Sequence, residues 1–79
     1  DTQRSINLLE ECIKHNIFKA YEDLIYIYYT KYLKEGNKEY LKKAKEYALI
    51  YESKDECNVE YINSILRKIK EKEEKKIKF

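Results

Sequence analysis

No proline interrupts this chain, and its one glycine, Gly36, stands near the middle, so almost nothing in 79 residues can break a helix or tighten a β-turn. Lys, Glu, Leu, Ile and Tyr fill the remaining positions, and apolar residues recur at helical rather than alternating spacing. The expectation is an all-α chain of four helices, over about 3–15, 19–34, 38–52 and 56–74. A chain this short removes only a modest share of its apolar surface from water, so most large apolar residues must find cover.

Each segment carries its own stripe. Ile6, Leu9 and Ile13 share one face of the first, with Leu8 and Cys12 beside it, and Lys14-His15-Asn16 supplies a basic end and a residue tolerant of a left-handed cap. The second places Ala20, Tyr21, Leu24, Ile25, Ile27, Tyr28 and Tyr32 over more than half its circumference, so it must touch neighbours on two sides. Gly36 suits the end of that helix and Asn37 the start of the next. In the third, Ala44 and Ala48 lie one turn apart and admit close approach of the second helix, within a set that includes Tyr40, Leu41, Tyr47 and Tyr51. Ser53-Lys54-Asp55-Glu56 fits a capping box, so helix four begins there or a turn later at Asn58; Val59, Ile62, Ile65, Leu66 and Ile69 form its stripe.

Charge and chemistry exclude more than they assign. Seventeen basic and fifteen acidic residues leave a net charge of +2, which is not that of a dedicated nucleic-acid binder. Residues 67–79 hold seven basic and three acidic groups, a local bias that Glu71, Glu73 and Glu74 break up; a nucleic-acid accessory role using this helix is an alternative reading, but nucleic acid is the less favoured partner. Cys12 and Cys57 with His15 are too few and too far apart for a zinc site, and free thiols are expected. Glu10-Glu11 and Glu22-Asp23 are adjacent on helices and diverge by about 100°, so neither pair forms a catalytic dyad. No nucleophile motif, phosphate loop or cofactor motif occurs, and the chain is expected to be non-enzymatic, without cofactor or metal. Charges interrupt every apolar run, so no membrane-spanning helix is expected and a cytoplasmic location is the working assumption.

An internal echo runs at an offset of about 39 residues: Ser5, Leu8 and Cys12 take the places of Ala44, Tyr47 and Tyr51, and Leu24 and Tyr28 those of Ile62 and Leu66. Tyr21, Leu24 and Tyr28, followed by Ala44, make the second and third helices resemble a tetratricopeptide-repeat hairpin, and the long Tyr28–Ala44 connection is more similar to Sel1-like repeats. Ile25 stands where those families prefer Gly, Ala48 where they prefer Phe, and their closing Pro is missing. The resemblance implies antiparallel hairpins stacked as a short α-solenoid, one full hairpin with a half on each side. It further implies a fragment or C-terminal part of a longer repeat protein, able to self-associate through uncovered helix faces. The same periodicities also permit an unrelated four-helix bundle.

In such repeats the first helix of each hairpin lines the ligand surface, and the matching positions are Lys19, Glu22, Tyr26 and Tyr29. Tyr26 and Tyr29 fall outside the burying stripe, and exposed tyrosines favour recognition. Glu22 and Tyr26 replace the Lys and Asn of a carboxylate clamp, which points to a basic or mixed-polarity segment. The functional expectation is a protein-interaction adaptor that binds a peptide or helix of a partner protein through the exposed face of helix two; a small helical inhibitor or immunity-type protein is a further alternative.

Overall fold

A computed structural model describes residues 2–54 and 57–74, and every regular element among them is helical. The helices are α1 (Thr2–Lys14), α2 (Lys19–Glu35), α3 (Lys38–Glu52) and α4 (Val59–Glu74).

Local chemistry bounds α1, α2 and α3 where the sequence leads one to expect, and the start of α4 is the exception. Asn16 takes a left-handed conformation (φ 63°) after α1. The Ile17 and Asn16 amides donate to the Cys12 and Ile13 carbonyls at 3.0 and 2.9 Å, the paired bonds of a Schellman motif. Gly36 (φ 75°) closes α2 with a single bond to the Tyr32 carbonyl at 2.7 Å, the simpler left-handed cap. Asn37 starts α3, its Oδ1 accepting from the Glu39 amide at 2.9 Å.

The exception is Ser53. Its hydroxyl donates to the Ile50 carbonyl at 2.6 Å and so closes α3 rather than opening α4. Asn58 opens α4 instead, accepting from the Tyr61 amide at 3.1 Å, which is the later of the two expected starts. Glu56, the other half of the expected capping box, lies outside the described residues.

The α2–α3 interface is the most extensive, as the apolar width of α2 and the small Ala44 and Ala48 predicted; both alanines are fully buried. Leu24, Ile25, Leu41, Ile62, Ile65 and Ile69 join them in one core, with Ile6 as the contribution of α1. Ile25, in place of the small residue of the repeat families, is wholly buried. The expected echo fails between α1 and α3: Leu8 is 63% exposed, whereas its counterpart Tyr47 packs on the core.

Consecutive helices pack against one another, and hydroxyls tie alternate ones. Tyr47 Oη of α3 donates to Glu10 Oε2 of α1 at 2.9 Å, and Tyr61 Oη of α4 donates to the Glu22 carbonyl of α2 at 3.0 Å. The thinnest extent of the chain, 14 Å, is the depth of two helices whose axes lie about 8–10 Å apart and whose Cα radii are about 2.3 Å. No described helix is long and apolar enough to cross a membrane.

Candidate functional site

Five tyrosine rings interdigitate along the α2–α3 interface. Tyr51 of α3 stacks on Tyr21 of α2 with centroids 5.7 Å apart, Tyr21 meets Tyr47 at 6.1 Å, Tyr47 stacks on Tyr28 at 5.9 Å, and Tyr28 meets Tyr40 at 6.3 Å. Spacings of seven residues, Tyr21 to Tyr28 and Tyr40 to Tyr47, are two helical turns, which is why rings from the two helices alternate. The Lys31 ammonium caps the last ring, 4.7 Å from the Tyr40 centroid.

The hydroxyls at the other end form a closed circuit. Tyr51 Oη donates to Glu22 Oε2 at 2.6 Å and accepts from the Asn58 amide at 2.9 Å; Asn58 Oδ1 accepts from the Tyr61 amide; Tyr61 Oη returns to the Glu22 carbonyl. Burial, then the Glu22 hydrogen bond, raises the Tyr51 pKa. Burial, then the Glu22 and Asp23 carboxylates, pushes Tyr61 up to about 12. Burial and the Glu10 carboxylate likewise raise Tyr47 and Tyr28. These phenols stay protonated at neutral pH, and those of Tyr47, Tyr51 and Tyr61 act as donors that fasten helices.

The four residues singled out from the sequence divide between two clefts. Lys19 and Glu22 line one of about 560 Å³ with Ile17, Phe18, Tyr51 and Asn58. Tyr26 and Tyr29 line a groove of about 440 Å³ between α2 and α4, completed by Thr30, Leu33, Tyr61, Ser64, Ile65 and Lys68. Glu22 is half-buried and its carboxylate holds Tyr51, so it serves the fold rather than a free surface.

Tyr29 requires a correction. It is only 9% exposed and belongs to the core, because α4 lies along this side of α2; burial raises its pKa and the Glu71 carboxylate of α4 adds to the shift. Tyr26 remains open at 62%. Its ring also borders a second cleft of about 370 Å³ with Ser5, Leu8, Leu9, Asp23 and Ile27, so it stands between α1 and α4 with Asp23 on one side and Lys68 on the other.

Tyr61 and Lys68 were not singled out from the sequence. Placing the start of α4 at Asn58 was the signal available for Tyr61, since it puts Tyr61 one turn in, where its amide reaches the cap. Cys12 and Cys57 are half-buried free thiols, and no cluster of three or more His, Cys, Asp or Glu able to hold a metal occurs among the described residues.

No family model matches the chain, and neither the curated proteins nor the solved structures include a match. The case for a site therefore rests on the geometry of α2 and its two neighbours.

Proposed function

We propose that this chain is a non-catalytic protein-interaction module, and that Tyr26 is the centre of the surface it presents. One observation carries the reading. Of nine tyrosines, eight are buried or half-buried, whereas Tyr26 stands open between two clefts. A small domain that spends its other tyrosines on packing gains nothing in stability from leaving this one in water.

The occupant proposed is an amphipathic helix of mixed polarity. Leu33, 52% exposed and two turns along α2 from Tyr26, offers a second apolar contact at the spacing of a helix laid in a groove. Thr30 and Ser64 give polar contacts along the groove. Asp23 favours a basic residue on one flank of the segment and Lys68 an acidic one on the other. A purely basic segment loses its main support, because the Glu22 carboxylate is already engaged by Tyr51.

Stacked helical hairpins are the architecture proposed for the module. Support comes from the bonds between like helices, Tyr47 to Glu10 on one side and Tyr61 to Glu22 on the other. Self-association through uncovered faces has less support. Among the described residues, the large exposed apolar residues are few on the flanking helices, Leu8 on α1 and Val59 on α4.

Panning a displayed library of helical peptides against the full chain tests the proposal. Selected peptides should converge on an apolar stripe with a base and an acid on its two flanks. Tyr26→Ala should weaken them at least about tenfold, the loss expected of a buried aromatic anchor, with an unchanged unfolding midpoint. Peptides that bind Tyr26→Ala and the parent equally would remove the site.

A further inference from the structure

We propose that the tyrosine column between α2 and α3 takes up one-electron oxidising equivalents and passes them from ring to ring to Tyr51, which holds them as a neutral phenoxyl radical with its proton on Glu22. Tyr26 is not part of the column, so this activity stands independently of the peptide surface.

Composition and packing make tyrosine the carrier. The chain has no Trp and no Met, and five of its tyrosines meet in the order Tyr40, Tyr28, Tyr47, Tyr21, Tyr51. Their centroids lie 6.3 Å apart or less, the separation of rings in contact, and electron tunnelling, which weakens steeply with distance, is fastest across such contacts.

The rings differ in what becomes of the proton. A phenol that loses an electron turns strongly acidic, so oxidation is easiest where a positioned base takes the proton at once. Tyr40 lies under the Lys31 ammonium, which is itself paired with Glu35 at 3.4 Å and has no lone pair to receive a proton. Tyr47 and Tyr51 instead donate to Glu10 and Glu22 at 2.9 and 2.6 Å, so each proton has a carboxylate at the far end of a bond already formed.

Tyr51 is the resting place. One electron leaves its ring, the phenolic O–H breaks, and a new O–H forms on Glu22 Oε2, while the oxidant, a neutral radical, becomes its anion. A neutral phenoxyl beside a neutral carboxylic acid then replaces a phenol beside a half-buried carboxylate, an exchange that burial favours. The Asn58 amide already donates to the same phenolic oxygen at 2.9 Å and continues to hold it. Tyr51 is 2% exposed, whereas Tyr40 and Tyr47 are half-buried, so oxidants in solution meet the column at those two rings and the radical at Tyr51 lies out of reach of soluble reductants.

The test is pulse radiolysis of the full chain with azide radicals at neutral pH, following phenoxyl absorbance in the presence of ascorbate. Ascorbate should remove the absorbance in two phases, a fast one from accessible rings and a slow one from Tyr51. Tyr26→Phe should keep the slow phase and Tyr51→Phe should lose it. Tyr21→Phe keeps the ring and every hydroxyl of the Glu22 circuit but interrupts the column next to Tyr51, so it should shrink the slow phase while the unfolding midpoint stays unchanged. That variant separates conduction from a structural effect at Tyr51. A single fast phase in the parent, or a slow phase that survives Tyr51→Phe, would overturn the resting place. A slow phase of full size in Tyr21→Phe would overturn the relay.

Discussion

The α2–α3 hairpin and its flanking helices are held by different forces. Inside the hairpin, five interlocked rings and two fully buried alanines bring the helices together over their whole length. Helix α1 offers the core one buried side chain, Ile6, and α4 offers Ile62, Ile65 and Ile69. The flanks depend in addition on hydroxyls projected outward by the hairpin, Tyr47 to Glu10 for α1 and Tyr51 to the Asn58 amide for α4. Tyrosine suits both tasks, since its ring packs in the interior while its hydroxyl reaches the next helix. The hairpin is thus the stable unit, and the flanks are the parts that open first.

The largest effect should follow from cutting the ring stack at its middle. Tyr28 touches both Tyr40 and Tyr47, and Tyr28→Ala should cost about 3–5 kcal/mol, as large-to-small changes at buried aromatics do. A domain this small has little more than that in reserve, so circular dichroism should show the variant largely unfolded at 25 °C. Leu9→Ala, at a half-buried position on α1, should cost about 1–2 kcal/mol and leave hydrogen-exchange protection in α2 and α3 intact. Equal costs at the two positions would end the distinction between hairpin and flank.

Alkaline pH should act on the same contrast. The ordinary tyrosine pKa of 10.0 is raised in the folded chain at Tyr28, Tyr47 and Tyr51 in the hairpin, at Tyr29 on the α4 side of α2, and to about 12 at Tyr61 in α4. Below the unfolded value both states hold their protons, so these groups contribute their full stabilisation. As pH rises past 10 the unfolded chain releases phenolic protons that the folded chain retains, and stability falls until the folded values are passed. Urea midpoints should therefore be flat with respect to these groups up to about pH 9 and decline above pH 10. Phenolate absorbance should lag behind that of free tyrosine and rise together with unfolding. A titration matching free tyrosine, with no loss of midpoint, would show that the hydroxyl bonds contribute nothing.

The four helices were legible because helical periodicity, Gly36, Asn37 and Asn16 are local signals, and each acts within a turn of its own position. The close approach at Ala44 and Ala48 was legible for a similar reason, since small residues one turn apart admit a neighbour whatever its identity. The site was only half legible. Tyr26 and Tyr29 are three residues apart on one helix, and nothing local to α2 reveals that α4 covers one ring and not the other. The carboxylate of Glu22 reads as surface charge until Tyr51, 29 residues away, donates to it. Ser53 and Asn58 both fit a helix start, and only the engagement of the Ser53 hydroxyl by the Ile50 carbonyl decides between them. Long-range partners settle these cases, and a periodicity carries no information about them.

Removal of single hydroxyls is the sharpest probe of how α4 is fastened. Tyr51→Phe keeps the ring on Tyr21 and removes one hydroxyl, which deprives the Asn58 amide of its acceptor and the Glu22 carboxylate of its donor. With a charged acceptor involved, the cost should be about 1.5–2 kcal/mol, and exchange of the Tyr61 amide in the first turn of α4 should accelerate. Tyr61→Phe removes only a bond to a backbone carbonyl from a half-exposed ring and should cost about 1 kcal/mol or less. Both bonds belong to one circuit around Glu22, so the double variant should cost less than the two single changes added together. Strict additivity would mean that the two hydroxyls act independently. Helix α4 would then be held by Ile62, Ile65 and Ile69, with each hydroxyl a separate fastening rather than part of a latch.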